Sequence, residues 1–360
     1  MNCYIHVPFC AVKCGYCAFY SEAGADSKLI DAYFDRLENE LSSAVPAEVQ
    51  TLYVGGGTPT LPDISRLERF IGILSENISL APGAEISIEA NPETLDKEKI
   101  ALLRHYFNRI SLGVQSFDPV SRERIGRRCS QEKLIEVLEV VRNARFNSWN
   151  CDLIYALPGQ SAGMWEDDLH AVCASGADHV SCYALTPEEN SRLGAALEED
   201  DDRATDFYHI AGDILGSYGI QRYEVSNYAR PGHACRHNQN VWRGGLLRGF
   251  GPAAAGFDGD DRMIQVESLG SWLAGVPPEV DKISRDARLN EIFAVNLRTV
   301  EGWNRRMWEA VPHADSWENR LDISRNLQKI FHDCLLITEN SIKLTGNGLL
   351  FWNSIAQELF

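Results

Sequence analysis

"YIHVPFCAVKCGYCAFY", residues 4–20, places Cys10, Cys14 and Cys17 in a C-x3-C-x2-C spacing directly after a strand-like apolar run. A structural zinc site closes its tetrahedron with four protein ligands. No fourth cysteine lies close: Cys3 is on the preceding strand and Cys129 is far along the chain. His6 could complete a zinc site, but this cysteine spacing is not a usual one for zinc. A [4Fe–4S] cube is normally held by four thiolates. Three leave one iron open, which is useful only if another molecule must bind it. S-adenosylmethionine can do so through its amino and carboxylate groups. An electron from the reduced cluster then cleaves the sulfonium and yields a 5′-deoxyadenosyl radical. Tyr16 and Phe19, set among the cysteines, are expected to keep water and oxygen from the cube.

Outward from this loop the chain alternates short β-rich runs with amphipathic stretches. Strands are expected at 3–8, 51–55, 85–90, 109–114, 151–157 and 179–185, each apolar as parallel strands buried on both faces should be. Helices are expected at 27–45, with Ser27 as cap and Leu29, Tyr33, Phe34, Leu37 and Leu41 at helical spacing, and at 64–77 and 131–145. Six β-then-α repeats make an α/β fold, either a doubly wound sheet or a complete or partial barrel. Both architectures put their sites at the strands' C-terminal ends, where the polar and glycine-rich groups of this chain fall. From about 220 the chain turns rich in Gly, Arg and aromatics, and a helix is expected near 286. "ITENSIKLTGNGLLFWNSIAQELF" reads as a hairpin and helix in a small winged-helix-like unit, taken as structural packing. The acidic "EEDDD" at 198–202 reads as a solvated helix approach or linker.

The 360 residues are 44% hydrophobic, with a net charge of −17, a balance that disfavours a nucleic-acid partner. No apolar run approaches membrane-spanning length and no signal peptide is read at the N-terminus, so a cytoplasmic location is expected. The seven cysteines outside the first cluster read as small buried hydrophobes and not as a disulfide framework.

The cysteine motif at the end of a first strand resembles the radical SAM superfamily. "YIHVPFCAVKCGYCAF" is similar to the branch containing oxygen-independent coproporphyrinogen III oxidase and the HemW heme chaperones. The resemblance implies a partial (βα)6 barrel over 1–215, an accessory α+β segment over 216–284 and a C-terminal helical, winged-helix-like domain over 285–360. In "YVGGGTPT", bare backbone at Gly55, Gly56 and Gly57 lets a ligand approach closely. The Gly-Lys-Ser/Thr of a Walker phosphate loop is absent. In the family, glycine loops of this kind contact the methionyl amine of S-adenosylmethionine, which brings in Gly56, Gly57 and Thr58. Glu89 and Gln115 stand at strand ends, where a carboxylate suits ribose hydroxyls or an ammonium group. Arg127 matches a contact to the ligand carboxylate and Asp152 one to its hydroxyls. Tyr4, Tyr16 and Ala184 complete the set of cofactor-binding residues that the resemblance implies.

The oxidase pattern has a fourth cysteine two residues after the third and an N-terminal extension. This chain has Phe19 at that position and three residues before Tyr4, the HemW-like form. "CRHNQNVWRGG" (235–245) resembles the heme motif H-N-x-x-Y-W: His237, Asn238 and Trp242 match, and Val241 replaces the tyrosine. Imidazole is a common axial ligand of heme iron and Trp242 offers an apolar wall. Cys235 is a second candidate ligand, and Arg236, Arg243 and Arg248 are candidates for pairing with propionates. A loop histidine among arginines is also often a surface hydrogen-bonding group. The implied cofactors are a [4Fe–4S] cluster, S-adenosylmethionine and heme, the heme held at an exposed, exchangeable site. The implied partners are heme-accepting proteins, membrane-associated respiratory enzymes among them, with a homodimer as a further candidate. The alternative is a radical SAM enzyme acting on a tetrapyrrole.

Overall fold

The computed structural model describes residues 1–44, 48–186, 201–259 and 261–360. Six strands, β1 (Asn2–Val7), β2 (Val49–Gly56), β3 (Leu80–Ala90), β4 (Arg109–Gln115), β5 (Ser148–Tyr155) and β6 (His179–Ala184), lie side by side in chain order, all parallel. The crossovers contain α1 (Ser27–Ala44), α2 (Ile64–Asn77), α3 (Lys97–Tyr106), α4 (Pro119–Arg124), α5 (Gln131–Ala144) and α6 (Ala162–Ser175); α7 (Asp201–Ser217) follows β6. The expected strands and helices all form. Local chemistry sets the helix starts. Asp63, Asp96, Ser130 and Ser161 each accept a backbone N–H of the first turn, a cap whose loss costs about 1 kcal/mol. For α1 the cap is Asp26, whose Oδ1 accepts from the Leu29 N–H at 2.9 Å, and not Ser27. Tyr33, Phe34, Leu37 and Leu41 of α1 are buried as expected.

The strands are not apolar on both faces. Cys3, Ile5, Val54, Ile88, Leu112, Leu153 and Val180 are buried on the face that packs the helices. The alternate residues carry Asn2, Tyr4 and His6 on β1, Glu85, Ser87 and Glu89 on β3, Ser111 on β4, Asn150 and Asp152 on β5, and His179 and Ser181 on β6. Successive residues of a strand point to opposite faces, so the parallel sheet encloses a polar interior along the inner side of its curl.

Further strands extend the sheet at both edges. Beyond β6 lie β8 (Asn227–Ala229) and β7 (Gln221–Arg222), both antiparallel additions. Beyond β1 lies β9 (Leu247–Phe250), parallel to it, then β10 (Ala255–Phe257), β11 (Asp261–Ile264) and β12 (Glu279–Lys282) as an antiparallel meander. Between β8 and β9, α8 (Arg236–Trp242) crosses the N-terminal ends of the parallel strands, touching Asn2, Thr51 and Glu85.

After α9 (Leu269–Leu273), the chain continues through α10 (Arg285–Leu297), β13 (Trp303–Asn304), α11 (Arg305–Glu309), α12 (Trp317–Ile330) and the hairpin β14 (Leu335–Ile337) with β15 (Ser341–Leu344). It ends in α13 (Gly346–Leu350) and α14 (Trp352–Gln357). Trp303, Trp308 and Trp317 are buried here, each indole N–H bonded to a backbone carbonyl. Of the acidic run, Asp201 and Asp202 open α7 and residues 198–200 lie outside the described residues. All ten cysteines are free thiols. Among the described residues no helix is long and apolar enough to cross a membrane.

Candidate functional site

The cysteine loop leaves β1 at Pro8 and is closed by a short parallel bridge that pairs Phe9 and Cys10 with Glu22 and Ala23. Burial pushes the Cys17 thiol up, and the neighbouring Cys14 and Cys10 add to the effect. Among the described residues no three His, Cys, Asp or Glu side chains close on a point fit for a single metal ion. His6 is not available as a ligand: Nδ1 bonds Tyr4 Oη at 3.1 Å and Nε2 bonds the Tyr20 carbonyl at 3.0 Å. It ties the far end of the loop back onto β1. Tyr16 sits inside, its hydroxyl accepting from Arg127 Nη2 at 3.0 Å. Phe19 is 70% exposed, so it does not shield the thiols as expected.

The glycine loop after β2 lies against the cysteine loop. The Gly57 N–H donates to Val7 O at 2.8 Å, and Thr58 Oγ1 reaches Cys10 Sγ at 3.6 Å. A Cβ at Gly57 would stand 2.7 Å from Phe9 O; at Gly56, with φ +109°, it would stand 2.7 Å from the His6 ring. Only glycine allows this approach.

Over these loops the strand ends converge. Glu89 accepts from Tyr53 Oη at 2.8 Å and from the Gly56 N–H at 3.1 Å. Burial and the Asp152 charge nevertheless raise its carboxyl to about 7. Asp152 is raised as well, by burial, although Ser181, Asn150 and Ser111 hydrogen-bond it. Arg127 lies over Gly113, and its Nε is buried with no hydrogen-bond partner among the described residues. Gln115 holds a left-handed φ of +70° at the end of β4. Tyr4 stacks on Tyr53 with centroids 6.3 Å apart, and Ala184 is exposed at the end of β6 beside Tyr183. An unpaired buried guanidinium nitrogen, a glycine cradle and two carboxylates of raised pKa suit a ligand with a carboxylate, an ammonium group and hydroxyls.

The 235–245 segment lies at the opposite end of the polar interior. His237 is 6% exposed, which corrects the expectation of an exposed site. Its Nδ1 bonds Thr51 Oγ1 at 2.9 Å, its ring packs on Tyr53 at 5.2 Å, and burial lowers its pKa to about 4. Glu85 accepts the backbone N–H groups of Arg236 and His237 at 3.1 and 2.9 Å, capping α8. Cys235 is buried against the same carboxylate and its thiol is pushed up to about 12 by burial. The Trp242 ring faces Tyr223 at 6.3 Å and the Arg298 guanidinium at 4.9 Å, which also faces Trp352 at 4.8 Å. Among the described residues the Asn238 side chain forms no hydrogen bond. Arg236 donates to Gly83 O and Arg243 pairs with Glu301.

Sequence reasoning missed the residues that hold the predicted ones: Tyr53 under Glu89, Ser111 and Asn150 under Asp152, Thr51 under His237 and Glu85 under α8. Their signal was the period-two alternation of polar residues within each strand.

Six parallel βα units around a polar interior, with three thiols on the loop after β1, define a radical SAM protein. The model of the Radical SAM superfamily matches residues 4–172. Heme chaperone HemW from Mycobacterium tuberculosis is 35% identical over 318 residues, covering 83% of this chain and 82% of that protein. HemW of Synechocystis sp. is 32% identical over 88% of this chain and 81% of its own length. HemW of Bacillus subtilis is 28% identical over 98% and 97%. The chain belongs to the HemW family of the radical SAM superfamily. In fold it is similar to Escherichia coli coproporphyrinogen III oxidase (HemN), with a TM-score of 0.86 over 99% of this chain and 89% of that one, at 22% identity. Superfamily membership implies a [4Fe–4S] cluster and S-adenosylmethionine.

Proposed function

We propose that this chain is a heme chaperone. It holds a [4Fe–4S] cluster on Cys10, Cys14 and Cys17 and takes S-adenosylmethionine at the strand ends. It binds heme at 235–245 and delivers it to heme-accepting proteins in the cytoplasm. Residues 1–215 form the cofactor barrel, 216–284 the heme-bearing accessory segment and 285–360 a supporting unit. Besides family membership, one observation on the chain's own residues carries the reading: the tautomer of His237. Thr51 Oγ1 donates to Asn2 Oδ1 at 2.8 Å, and that oxygen is identified because Asn2 Nδ2 donates to Leu246 O at 2.9 Å. The Thr51 hydroxyl therefore has only lone pairs to offer His237, so Nδ1 carries the ring proton. Nε2 then keeps the lone pair that an iron ligand needs. Cys235 remains a neutral thiol, a weaker ligand than a thiolate. Because the ring is buried, ligation of a macrocycle requires α8 to leave the strand ends, which suits a protein that must also release its cargo.

In the upper pocket, Arg127 Nε is placed for a ligand carboxylate, Gly55–Gly57 for close contact with an amine, and Glu89 and Asp152 for hydroxyls or a cation. When bound, the cluster supplies the electron that can cleave the sulfonium. The complete set of strand-end residues favours a second reading, a radical enzyme acting on a tetrapyrrole. Anaerobic reconstitution with iron and sulfide, followed by parallel assays of heme binding and coproporphyrinogen decarboxylation, separates the two. The chaperone reading expects a Soret shift on adding heme, diminished in His237→Ala, and no decarboxylation. Robust decarboxylation with heme binding indifferent to His237 and Cys235 would overturn it.

A further inference from the structure

Between the upper pocket and α8 runs an unbroken line of hydrogen bonds through the polar interior. Asn150 Nδ2 donates to Asp152 Oδ1 at 2.7 Å. That contact fixes the amide orientation, so Asn150 Oδ1 is the atom facing His179 Nδ1, also at 2.7 Å. A carbonyl oxygen only accepts, so Nδ1 of His179 carries a proton. Burial, Arg109 and His233 hold the ring neutral, and Nε2 is then the acceptor. It accepts a hydrogen bond from the Tyr223 hydroxyl at 2.8 Å. With its hydrogen committed, Tyr223 Oη accepts the Cys235 backbone N–H at 3.4 Å. Cys235 is the residue that precedes the first turn of α8. Every donor and acceptor along the line is thus determined by its neighbours: Cys235 N–H to Tyr223, Tyr223 to His179, His179 to Asn150, Asn150 to Asp152. Asn150, His179 and Cys235 are each at most 3% exposed and Tyr223 and Asp152 are half-buried, so bulk water is kept from the middle of the line.

We propose that His179 and Tyr223 are positioning residues that tie Asp152 to the start of α8, so that filling the upper pocket changes how firmly the His237 segment is held. This rests on the reading of Asp152 as an S-adenosylmethionine contact. A ligand hydroxyl that bonds Asp152 competes for Oδ1, which anchors Asn150 together with Ser111 Oγ at 2.7 Å and Ser181 Oγ at 3.0 Å. The amide cannot turn without setting its NH2 against the His179 N–H, so the displacement is passed on as a shift of the imidazole. Tyr223 follows, and it is the residue that packs on Trp242 and receives the Cys235 amide. Chains of this kind are high-stakes because each buried member loses its partner if the next one moves. Coupling between two sites is a free energy and is measured as such.

The test uses cluster-loaded full-length protein under anaerobic conditions, with S-adenosylmethionine as the probe and the oxidised cluster to prevent cleavage. Amide hydrogen exchange over residues 235–242 is followed with and without the probe, in wild type, Tyr223→Phe, His179→Gln and the control Tyr228→Phe. Tyr228 is a buried tyrosine whose hydroxyl bonds Arg222 away from the line. Wild type and Tyr228→Phe are expected to change exchange at 235–242 at least fivefold on saturation. Tyr223→Phe is expected to change it less than twofold while binding the probe within threefold of wild type, judged by the cluster's spectrum. The ratio of heme affinities with and without the probe should likewise exceed five in wild type and fall to about one in Tyr223→Phe, the range that one to three kcal/mol of coupling spans. Probe binding with unchanged exchange in wild type, or an equal change in Tyr223→Phe and His179→Gln, overturns the relay alone. An unmoved cluster spectrum at saturating probe overturns the upper-pocket reading and the relay with it. Absence of heme binding overturns the chaperone reading, while the exchange readout still decides the relay.

Discussion

Replacing Glu89 with Gln should stabilise the ligand-free chain above neutral pH while weakening its upper pocket. Glu89 is isosteric with glutamine, and both of its bonds survive the change. The new amide oxygen accepts from Gly56 N, and the new NH2 donates to Tyr53 Oη once that hydroxyl turns. What disappears is the buried charge beside Asp152. The folded-state carboxyl stands at about 7, raised first by burial and then by Asp152. An acid raised in the folded state binds more protons there than in the unfolded chain. Its contribution to stability is therefore full below the unfolded pKa of 4.5 and is lost as pH rises through about 7. At roughly 1.4 kcal/mol per pKa unit, the ionised carboxylate costs about 3–4 kcal/mol at pH 8. Denaturant unfolding of the reduced apo-protein, followed by tryptophan fluorescence, should show Glu89→Gln more stable than wild type by about that amount at pH 8. The gap should close as the pH falls toward 4. Equal stability of the two proteins at pH 8 would refute the assignment of a strained carboxylate at this position.

Alanine at any one of Cys10, Cys14 or Cys17 should abolish uptake of close to four irons per chain, whereas Cys173→Ala should retain it, as checked by iron and sulfide analysis after anaerobic reconstitution. Arg127→Ala, or Asp152→Ala, should weaken S-adenosylmethionine binding by about 1–3 kcal/mol, the scale of losing a charged hydrogen-bond partner; a cluster-spectrum titration unchanged from wild type would count against both contacts. Thr51→Val keeps the shape but removes the acceptor of the His237 Nδ1 proton, so it should lower heme affinity and alter the Soret band even though residue 237 is untouched. Arg298→Met should lower stability, because it strands Glu224, which is fully buried and bonded to the guanidinium at 2.8 Å, at a cost of about 3–5 kcal/mol; an unfolding midpoint unchanged from wild type would contradict this.

The six-strand alternation, the helix starts and the cysteine loop were legible because each is local: a run of apolar residues, a cap, a spacing. The inner face of the sheet was equally present in the sequence. "EISIEA" and "HVSCYA" alternate polar and apolar residues, yet their buried apolar half invites an all-apolar reading. Glu85, Thr51, Asn150 and His179 then look like ordinary strand polar groups until pairing brings them face to face. His237 shows the harder limit. Its motif neighbours suggest a surface loop, and nothing local tells that 186 residues earlier Thr51 waits to take its Nδ1 proton. Phe19 is the converse case: an aromatic among cysteines suggests a shield, but only the course of the loop determines that it faces solvent.

The two ends of the interior differ in how completely they are satisfied, and this sets what each can do. At the upper end the fold carries several uncompensated costs. Glu89 and Asp152 are both raised, Arg127 Nε is buried without a partner, and Gln115 is held in a conformation that costs a non-glycine residue of the order of 1–3 kcal/mol. A ligand that offers a carboxylate to Arg127 and an ammonium group to Glu89 relieves two of these at once, so its binding should raise stability directly. At the α8 end most of the described polar groups are paired, with His237 Nε2 left holding its lone pair. Glu85 caps the helix, Thr51 accepts the His237 N–H, Asn2 accepts the Thr51 O–H, and the Arg298 guanidinium covers Trp242. A macrocycle gains His237 only by breaking contacts that are already made. The upper pocket is therefore ready for its ligand as folded, whereas the heme segment must first be released, and the affinity for heme is reduced by whatever that release costs.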